Sequence, residues 1–269
     1  MLKNVSLPMY NLPEMQQVNQ AFWTAIRHEA ALDGELYHPP EVDFARKPVP
    51  DAIERETLFT QVCGYPLNTI FRGQACLLGA PVYSVEQCIG ATHVGVFVVH
   101  EDSKYRTLSD LEGCRFVYNS RYSNSGMNLP RRAIADIARG KRFFGNIVET
   151  HSQPSNIERV ANHAADATCV DCVTYAFARK YRSEMANRTR ILALTPRSPS
   201  IPFVTSIEAP VEYRRKLASA LLRVARHPRW ADVRAGLMLI DIVPVTIEDY
   251  AVQLDYERQA QELGYPELL

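Results

Sequence analysis

The chain has 269 residues, long for a single core and enough for two, since a typical domain holds roughly 100 to 200 residues. A composition of 46% hydrophobic and 22% charged residues is that of a globular chain and excludes disordered or collagen-like classes. Thirty basic residues balance thirty acidic ones, so no net field attracts nucleic acid or an anionic membrane, and any anion site has to be local.

In chain order, the N-terminus passes directly into a strand-like segment at residues 5–7 and offers no secretory signal, which favours a cytoplasmic chain or one separated from its leader. Asn11 and Glu14 resemble a capping box, and Met15, Val18, Phe22, Ala25 and Ile26 follow at helical spacing. Residues 58–62 read as a buried strand closed by the turn Cys63-Gly64-Tyr65-Pro66, which sets Tyr65 at a strand's carboxyl end. Residues 94–100 are β-branched and apolar without alternation, as in a strand buried on both faces of a parallel sheet. The run is strand-sized, far below the roughly 18 apolar residues of a membrane span, so no membrane insertion is expected.

A second series begins with a strand at 114–118, the loop 119–126, and a helix carrying Ile134, Ala135, Ile137 and Ala138. A strand at 147–150 ends at His151; Ser155 and Glu158 form a capping box for a helix with Ile157, Val160, Ala161 and Ala164 on one face. A strand at 167–170 ends at Asp171, a short helix runs through Tyr175 and Phe177, and a last strand occupies 191–194. Pro196, Pro199 and Pro202 then enforce an extended crossing. Two helices finish the chain, one opened by Pro210 and carrying Leu217, Leu221 and Val224, the other capped by Thr246 and closed before Gly264.

Alternating strands and helices predict an α/β fold, each lobe a doubly wound sheet whose binding loops lie at strand carboxyl ends. The crossings near residues 95 and 198 divide the chain into lobe 1, residues 1–95 and 199–269, and an inserted lobe 2, residues 96–198, with the two crossing segments as a hinge.

Six cysteines are too few for a disulfide scaffold in a chain of this length, although Cys63 and Cys88 stand at loop-like positions where a bridge is conceivable in an exported protein. Cys169 and Cys172 form a lone CxxC inside an apolar run, which points to buried packing and not to zinc or thioredoxin-like chemistry; no metal and no cofactor are expected. The basic cluster Arg131, Arg132, Arg139, Lys141 and Arg142 reads as a solvated helix face.

The string Ser123-Asn124-Ser125-Gly126-Met127-Asn128-Leu129-Pro130 places short hydroxyls and a glycine ahead of a helix. Backbone N–H groups, two hydroxyls and the positive end of the helix dipole converge there on a volume suited to a phosphate-sized anion. The same string also serves as a plain N-cap and turn.

The Ser-x-Ser-Gly-x-x-x-Pro pattern at 123–130 resembles the anion-binding loop of periplasmic phosphonate- and phosphite-binding proteins of ABC transporters. The segment at 107–113, His151-Ser152 with the helix after it, the block from Asp166 to Cys172, Cys63-Gly64-Tyr65-Pro66-Leu67, and the prolines near 196 and 202 are similar to further blocks of that family in the same order. The resemblance implies a type II periplasmic-binding-protein fold that captures a small oxyanion, with an ABC-transporter permease as partner and a periplasmic location. It implies that Ser123, Asn124, Ser125 and Gly126 hold the oxyanion, that His151 donates to it, that Asp171 meets the ligand's remaining portion, and that Tyr10 and Tyr65 supply hydroxyls. Cys88 to His93 fits the family poorly, so no contact carries over from that segment.

An enzyme on the same fold, of the cytoplasmic menaquinone-pathway kind, is the competing function, since fold alone does not decide chemistry. It would need an acid/base pair or nucleophile, for which His151 with Asp171 or Cys172 are the candidates. No G-x-S-x-G elbow, P-loop, dinucleotide fingerprint or HExxH motif is present, which favours binding over catalysis.

Overall fold

A computed structural model describes residues 3–33, 38–46 and 52–269. In chain order the elements used below are β1 (Asn4–Val5), α1 (Gln16–Ala31), β2 (Thr57–Gln61), α2 (Gly64–Asn68), β3 (Ala75–Tyr83), β4 (Gly95–His100), β5 (Arg115–Tyr118), α3 (Leu129–Ala138), β6 (Asn146–Glu149), α4 (Gln153–Ala161), β7 (Ala167–Asp171), α5 (Cys172–Tyr181), β8 (Thr189–Leu194), β9 (Phe203–Ser206), α6 (Val211–Arg226), β10 (Leu239–Val243) and α7 (Val252–Glu262). The chain divides into two compact units, the first comprising Met1–Thr92 and Pro199–Asp249, the second His93–Ser198 and Tyr250–Leu269.

The first unit is built on a five-stranded mixed sheet in the order β1-β2-β9-β3-β10. Trp23 of α1 stacks on Phe59 of β2 at 5.4 Å between ring centroids, and Phe59 stacks on Phe203 of β9 at 5.5 Å, so the apolar stripe of α1 is buried against the sheet. α1 also packs on α6, where Arg223 meets buried Glu29 at 3.2 Å and Trp230 donates to the same carboxylate at 2.9 Å. These bonds compensate a buried carboxylate that would otherwise be costly. Asn11 does not cap α1: its amide donates to the Phe44 carbonyl, and a 3-10 turn over Pro13–Met15 leads into the helix instead.

The second unit is a five-stranded sheet in the order β6-β5-β7-β4-β8. β5 is parallel to β6 and β7, as βαβ crossovers through α3 and α4 require. Strand β4, between β7 and the edge strand β8, is fully buried as expected, but it is antiparallel to both neighbours and not part of a parallel set. Its direction is free of the crossover rule because it enters straight from the other unit without a preceding helix of its own. Phe116 stacks on Phe144 at 4.3 Å and lies beside Phe97, forming the aromatic centre of this core.

Residues 199–269 do not form one lobe with residues 1–95. The last twenty residues, Tyr250–Leu269, pack with the second unit, where α7 covers α3. The same packing overturns the reading of Arg131 as solvated: its side chain is 4% exposed, donating to the Pro266 carbonyl at 2.8 Å and to Asn128 Oδ1 at 2.6 Å. Ser155 does not cap α4; Ser152 does, three residues earlier, accepting from the Ser155 amide at 3.3 Å. Thr246 accompanies the 3-10 turn Glu248–Tyr250 and not the first turn of α7.

Among the described residues, which include all six cysteines, no disulfide is formed, so Cys63 and Cys88 are not bridged. Cys169 lies inside β7 and Cys172 opens α5, both buried; burial pushes the Cys169 thiol well above the usual range, the opposite of what a reactive thiolate needs. No group of side chains suited to a metal ion occurs among the described residues.

Candidate oxyanion site

The loop after β5 holds the site. Ser123 is extended and acts as N-cap, its Oγ accepting from the Gly126 amide at 3.0 Å. Residues Asn124–Asn128 then form one wide π-turn that runs directly into α3: the Asn128 amide donates to the Ser123 carbonyl at 3.1 Å and the Leu129 amide to the Asn124 carbonyl. The first N–H groups of such a turn have no intrahelical acceptor and carry the positive end of the helix dipole. Single π-turns inserted into helices recur at functional sites, where they re-aim backbone groups.

Gly126 is required by close approach. A Cβ built there would lie 1.9 Å from Asn119 Oδ1 and 3.1 Å from Ser123 Oγ, so any side chain displaces the groups that shape the turn.

A buried polar network anchors the turn from behind. Asn124 Nδ2 donates to Ser198 Oγ at 2.9 Å, and Gln253 Nε2 of α7 donates to the same oxygen at 2.8 Å. Asn128 donates to Asn124 Oδ1 at 3.1 Å and to the Gln253 carbonyl at 2.9 Å, while Arg131 bonds Asn128 in turn. The side chain of Asn124 is therefore directed into the interior, and what it presents toward an anion is its backbone N–H.

Ser125 is positioned differently. Its Oγ accepts from Gln153 Nε2 at 3.0 Å, and Gln153 Oε1 accepts from the Asp171 amide at 2.9 Å. One glutamine, the first residue of α4, ties together the loops that follow β5, β6 and β7. With Ser125 accepting from Gln153, its own hydroxyl proton is left for another acceptor.

Asp171, at the end of β7, caps α5 through Oδ1, which accepts from the Val173 amide at 2.7 Å and the Thr174 amide at 3.4 Å. Its Oδ2 is hydrogen-bonded to Nδ1 of His93, and both side chains are 2% exposed. Burial, the largest influence on His93, opposes its charge, but the field and hydrogen bond of Asp171 together outweigh it, with Cys172 adding to them and Arg197 opposing; the imidazole pKa is raised.

The remaining expected residues are His151 of the second unit and two tyrosines of the first. The side chain of His151 is 81% exposed, 3.8 Å from Glu149. Its backbone is in the left-handed region at φ 63°, with the amide donating to the Asn119 carbonyl. Gln153, two residues on, reaches Ser125. Tyr10 and Tyr65 are buried in the first unit, where Tyr10 meets Tyr83 edge to face at 5.7 Å and the Tyr65 carbonyl accepts from Thr69 Oγ1 at 2.9 Å.

Gln153, His93, Ser198 and Gln253 are site residues that sequence reasoning missed. The hydroxyl of Ser152 just ahead of Pro154, a proline suited to a first helical turn, was the one local signal that α4 opens at Gln153.

Two α/β units, each on a five-stranded sheet, with a polar helix-entry turn at a strand's carboxyl end, define a type II periplasmic binding protein. The family model for the periplasmic substrate-binding protein of phosphonate ABC transporters matches residues 80–250, and the chain belongs to that family. Among solved structures it is similar to a binding protein component of an ABC phosphonate transporter from Pseudomonas aeruginosa, with a TM-score of 0.78 and 13% identity over 97% of this chain and 87% of that one. PhnD1 from Prochlorococcus marinus, in complex with methylphosphonate, gives a TM-score of 0.73 and 15% identity over 97% and 98% of the two chains. XAC2383 from Xanthomonas citri, bound to chloride ion, gives 0.68 and 16% over 98% and 99%. Among curated proteins none matches. The family is one of periplasmic transporter components, and among the described residues no helix is long and apolar enough to cross a membrane.

Proposed function

We propose that this chain captures a small oxyanion of the phosphonate, phosphite or phosphate type on the turn Ser123–Gly126 and delivers it to an ABC-transporter permease in the periplasm, without acting on it chemically. The observation that carries the proposal is the Ser125 hydroxyl, buried beside the opening N–H groups of the turn and fixed by Gln153 so that its proton is available to an anion. The methylphosphonate complex of the Prochlorococcus marinus protein is in keeping with this ligand class. Of the residues that the enzyme reading relied on, His151 stands exposed beside Glu149, whereas Asp171 is bonded to His93 and to the start of α5, which favours binding.

Calorimetry and thermal unfolding with phosphate, phosphite and methylphosphonate test the proposal. Ligand at about 100 times its dissociation constant is expected to stabilise the protein by roughly 2.7 kcal/mol. Absence of any melting shift with all three anions at millimolar concentration overturns it.

A further inference from the structure

His93 lies in a segment from which the family resemblance carries no contact, yet the fold brings it to the oxyanion site. It stands two residues before Gly95, which pairs with Asp171 across the sheet. A Cβ built on Gly95 would lie 3.0 Å from the Ser125 carbonyl oxygen, so this end of β4 is against the π-turn itself. The Val94 carbonyl accepts from the Cys172 amide at 3.1 Å, fixing the backbone beside His93 to the start of α5. Through the Asp171 amide the same corner is joined to Gln153 and from there to Ser125.

The two imidazole nitrogens have different surroundings. Nδ1 is bonded to Asp171 Oδ2, whereas Nε2 is buried and has no hydrogen-bond partner among the described residues. A buried N–H without an acceptor is destabilising, and native interiors leave few of them. A carboxylate accepts, so the Asp171 contact holds a proton on Nδ1, and Nε2 bears one as well in the imidazolium.

We propose, resting on the oxyanion reading above, that His93 Nε2–H is a ligand-donating group of this site, that Asp171 is the positioning residue that orients it, and that the ligand is an oxyanion without a cationic substituent. Asp171 does not then meet the ligand's remaining portion as the family resemblance implied. Its carboxylate serves an imidazole and the first turn of α5, so it is not offered to an ammonium group. The titratable groups acting on the ring are Asp171, Cys172 and Arg197; burial opposes its charge, Asp171 outweighs burial, and the imidazolium so favoured is the form in which Nε2 carries a proton to donate.

Two substitutions separate ligand contact from mere packing, with methylphosphonate as the probe in calorimetry. His93→Asn keeps an amide near the Nδ1 position for Asp171 but has nothing at Nε2; His93→Gln extends an amide toward the Nε2 position and gives up the Asp171 bond. The expected result is a loss of affinity of roughly ten- to a hundredfold for His93→Asn, with His93→Gln clearly less affected. In the wild type, addition of methylphosphonate is expected to move the His93 Nε2–H proton resonance downfield and slow its exchange, a readout that stands if His93→Asn fails to fold. A 2-aminoethyl phosphonate is expected to bind more weakly than methylphosphonate, with no added loss in Asp171→Asn relative to methylphosphonate. Wild-type affinity in His93→Asn, an equal loss in both variants, an unmoved Nε2–H resonance, or tighter binding of the amine that depends on Asp171 overturns this inference while leaving the oxyanion reading intact. If the wild type binds none of the anions, the oxyanion reading fails first and this inference falls with it.

Discussion

Gln153 donates to the hydroxyl of Ser125 at 3.0 Å, and the amide oxygen of the same side chain accepts from the backbone of Asp171 at 2.9 Å. Because a glutamine nitrogen only donates, it forces Ser125 to accept there and frees the serine proton. Gln153→Glu reverses this. A carboxylate in that place accepts from the Ser125 hydroxyl as well as from the Asp171 amide, and repels an incoming anion. Affinity for methylphosphonate is expected to fall by at least roughly a hundredfold in calorimetry, while the far-ultraviolet spectrum stays that of the wild type.

Ser125→Ala removes the hydroxyl and leaves Gln153 Nε2 without its acceptor. Binding is expected to weaken roughly ten- to a hundredfold, since hydrogen bonds to charged acceptors contribute about 1.5 to 3 kcal/mol. Stability should drop by only about 1 kcal/mol, read from urea unfolding without ligand. A loss of binding no larger than the loss of stability would assign Ser125 to the scaffold.

Gly126→Ala tests the turn's shape. The added methyl would lie 1.9 Å from Asn119 Oδ1 and 3.1 Å from Ser123 Oγ, so the cap and the loop end have to move. Overpacking of this kind costs about 1 to 3 kcal/mol, and the moved N–H groups are expected to lower affinity as well. A crystal structure of the variant with an unmoved Asn119 would contradict the account.

How far the sequence announces this arrangement depends on whether the signal is local. Buried apolar runs made β2, β4, β5 and β7 legible to within one or two residues, and the Ser-x-Ser-Gly string marked the turn before its π geometry was visible. The nine-residue β3 was hidden because it contains Gly79 and Pro81, residues that ordinarily break strands; Gly79 is tolerated because a side chain there would lie 2.8 Å from Ile242 Cγ2 of β10. Arg131 carries no mark of burial in the sequence, since Pro266 and Glu257, two of its partners, lie more than a hundred residues away. His93 and Asp171 are likewise joined across 78 residues by strand pairing alone.

Arg131→Met retains much of the aliphatic bulk but removes the donors to Asn128 Oδ1 and to the Pro266 carbonyl. The buried Asn128 Oδ1 and the Pro266 carbonyl lose this donor, and the Glu257 carboxylate, 3.5 Å away, loses a counter-charge. Stability is expected to fall by about 2 to 4 kcal/mol in urea unfolding. Because Asn128 also bonds Asn124, affinity should fall with it; unchanged affinity would show that the turn is held by Ser198 and Gln253 alone.

Two histidines are expected to shape stability against pH with opposite signs. The pKa of His93 is raised in the folded state, burial being outweighed by Asp171, so the folded chain binds a proton more readily than the unfolded one. Its contribution is present in full below the unfolded imidazole value of about 6.5 and is lost as pH rises through its higher folded value. His38 is the reverse. Burial, aided by Arg27, lowers it to about 4, consistent with its contact at 3.3 Å to the Tyr213 hydroxyl and its place against Trp23. Between about 4 and 6.5 the unfolded chain takes up the proton that folded His38 refuses, so acidification through that window destabilises the protein. Urea unfolding from pH 4 to 9 should therefore give a maximum near neutrality. His38→Phe, which keeps a ring against Trp23 but cannot titrate, should soften the acid limb. His93→Asn should flatten the alkaline limb and leave the acid one in place. An alkaline limb unchanged in His93→Asn would mean that Asp171 does not favour the imidazolium in the folded protein.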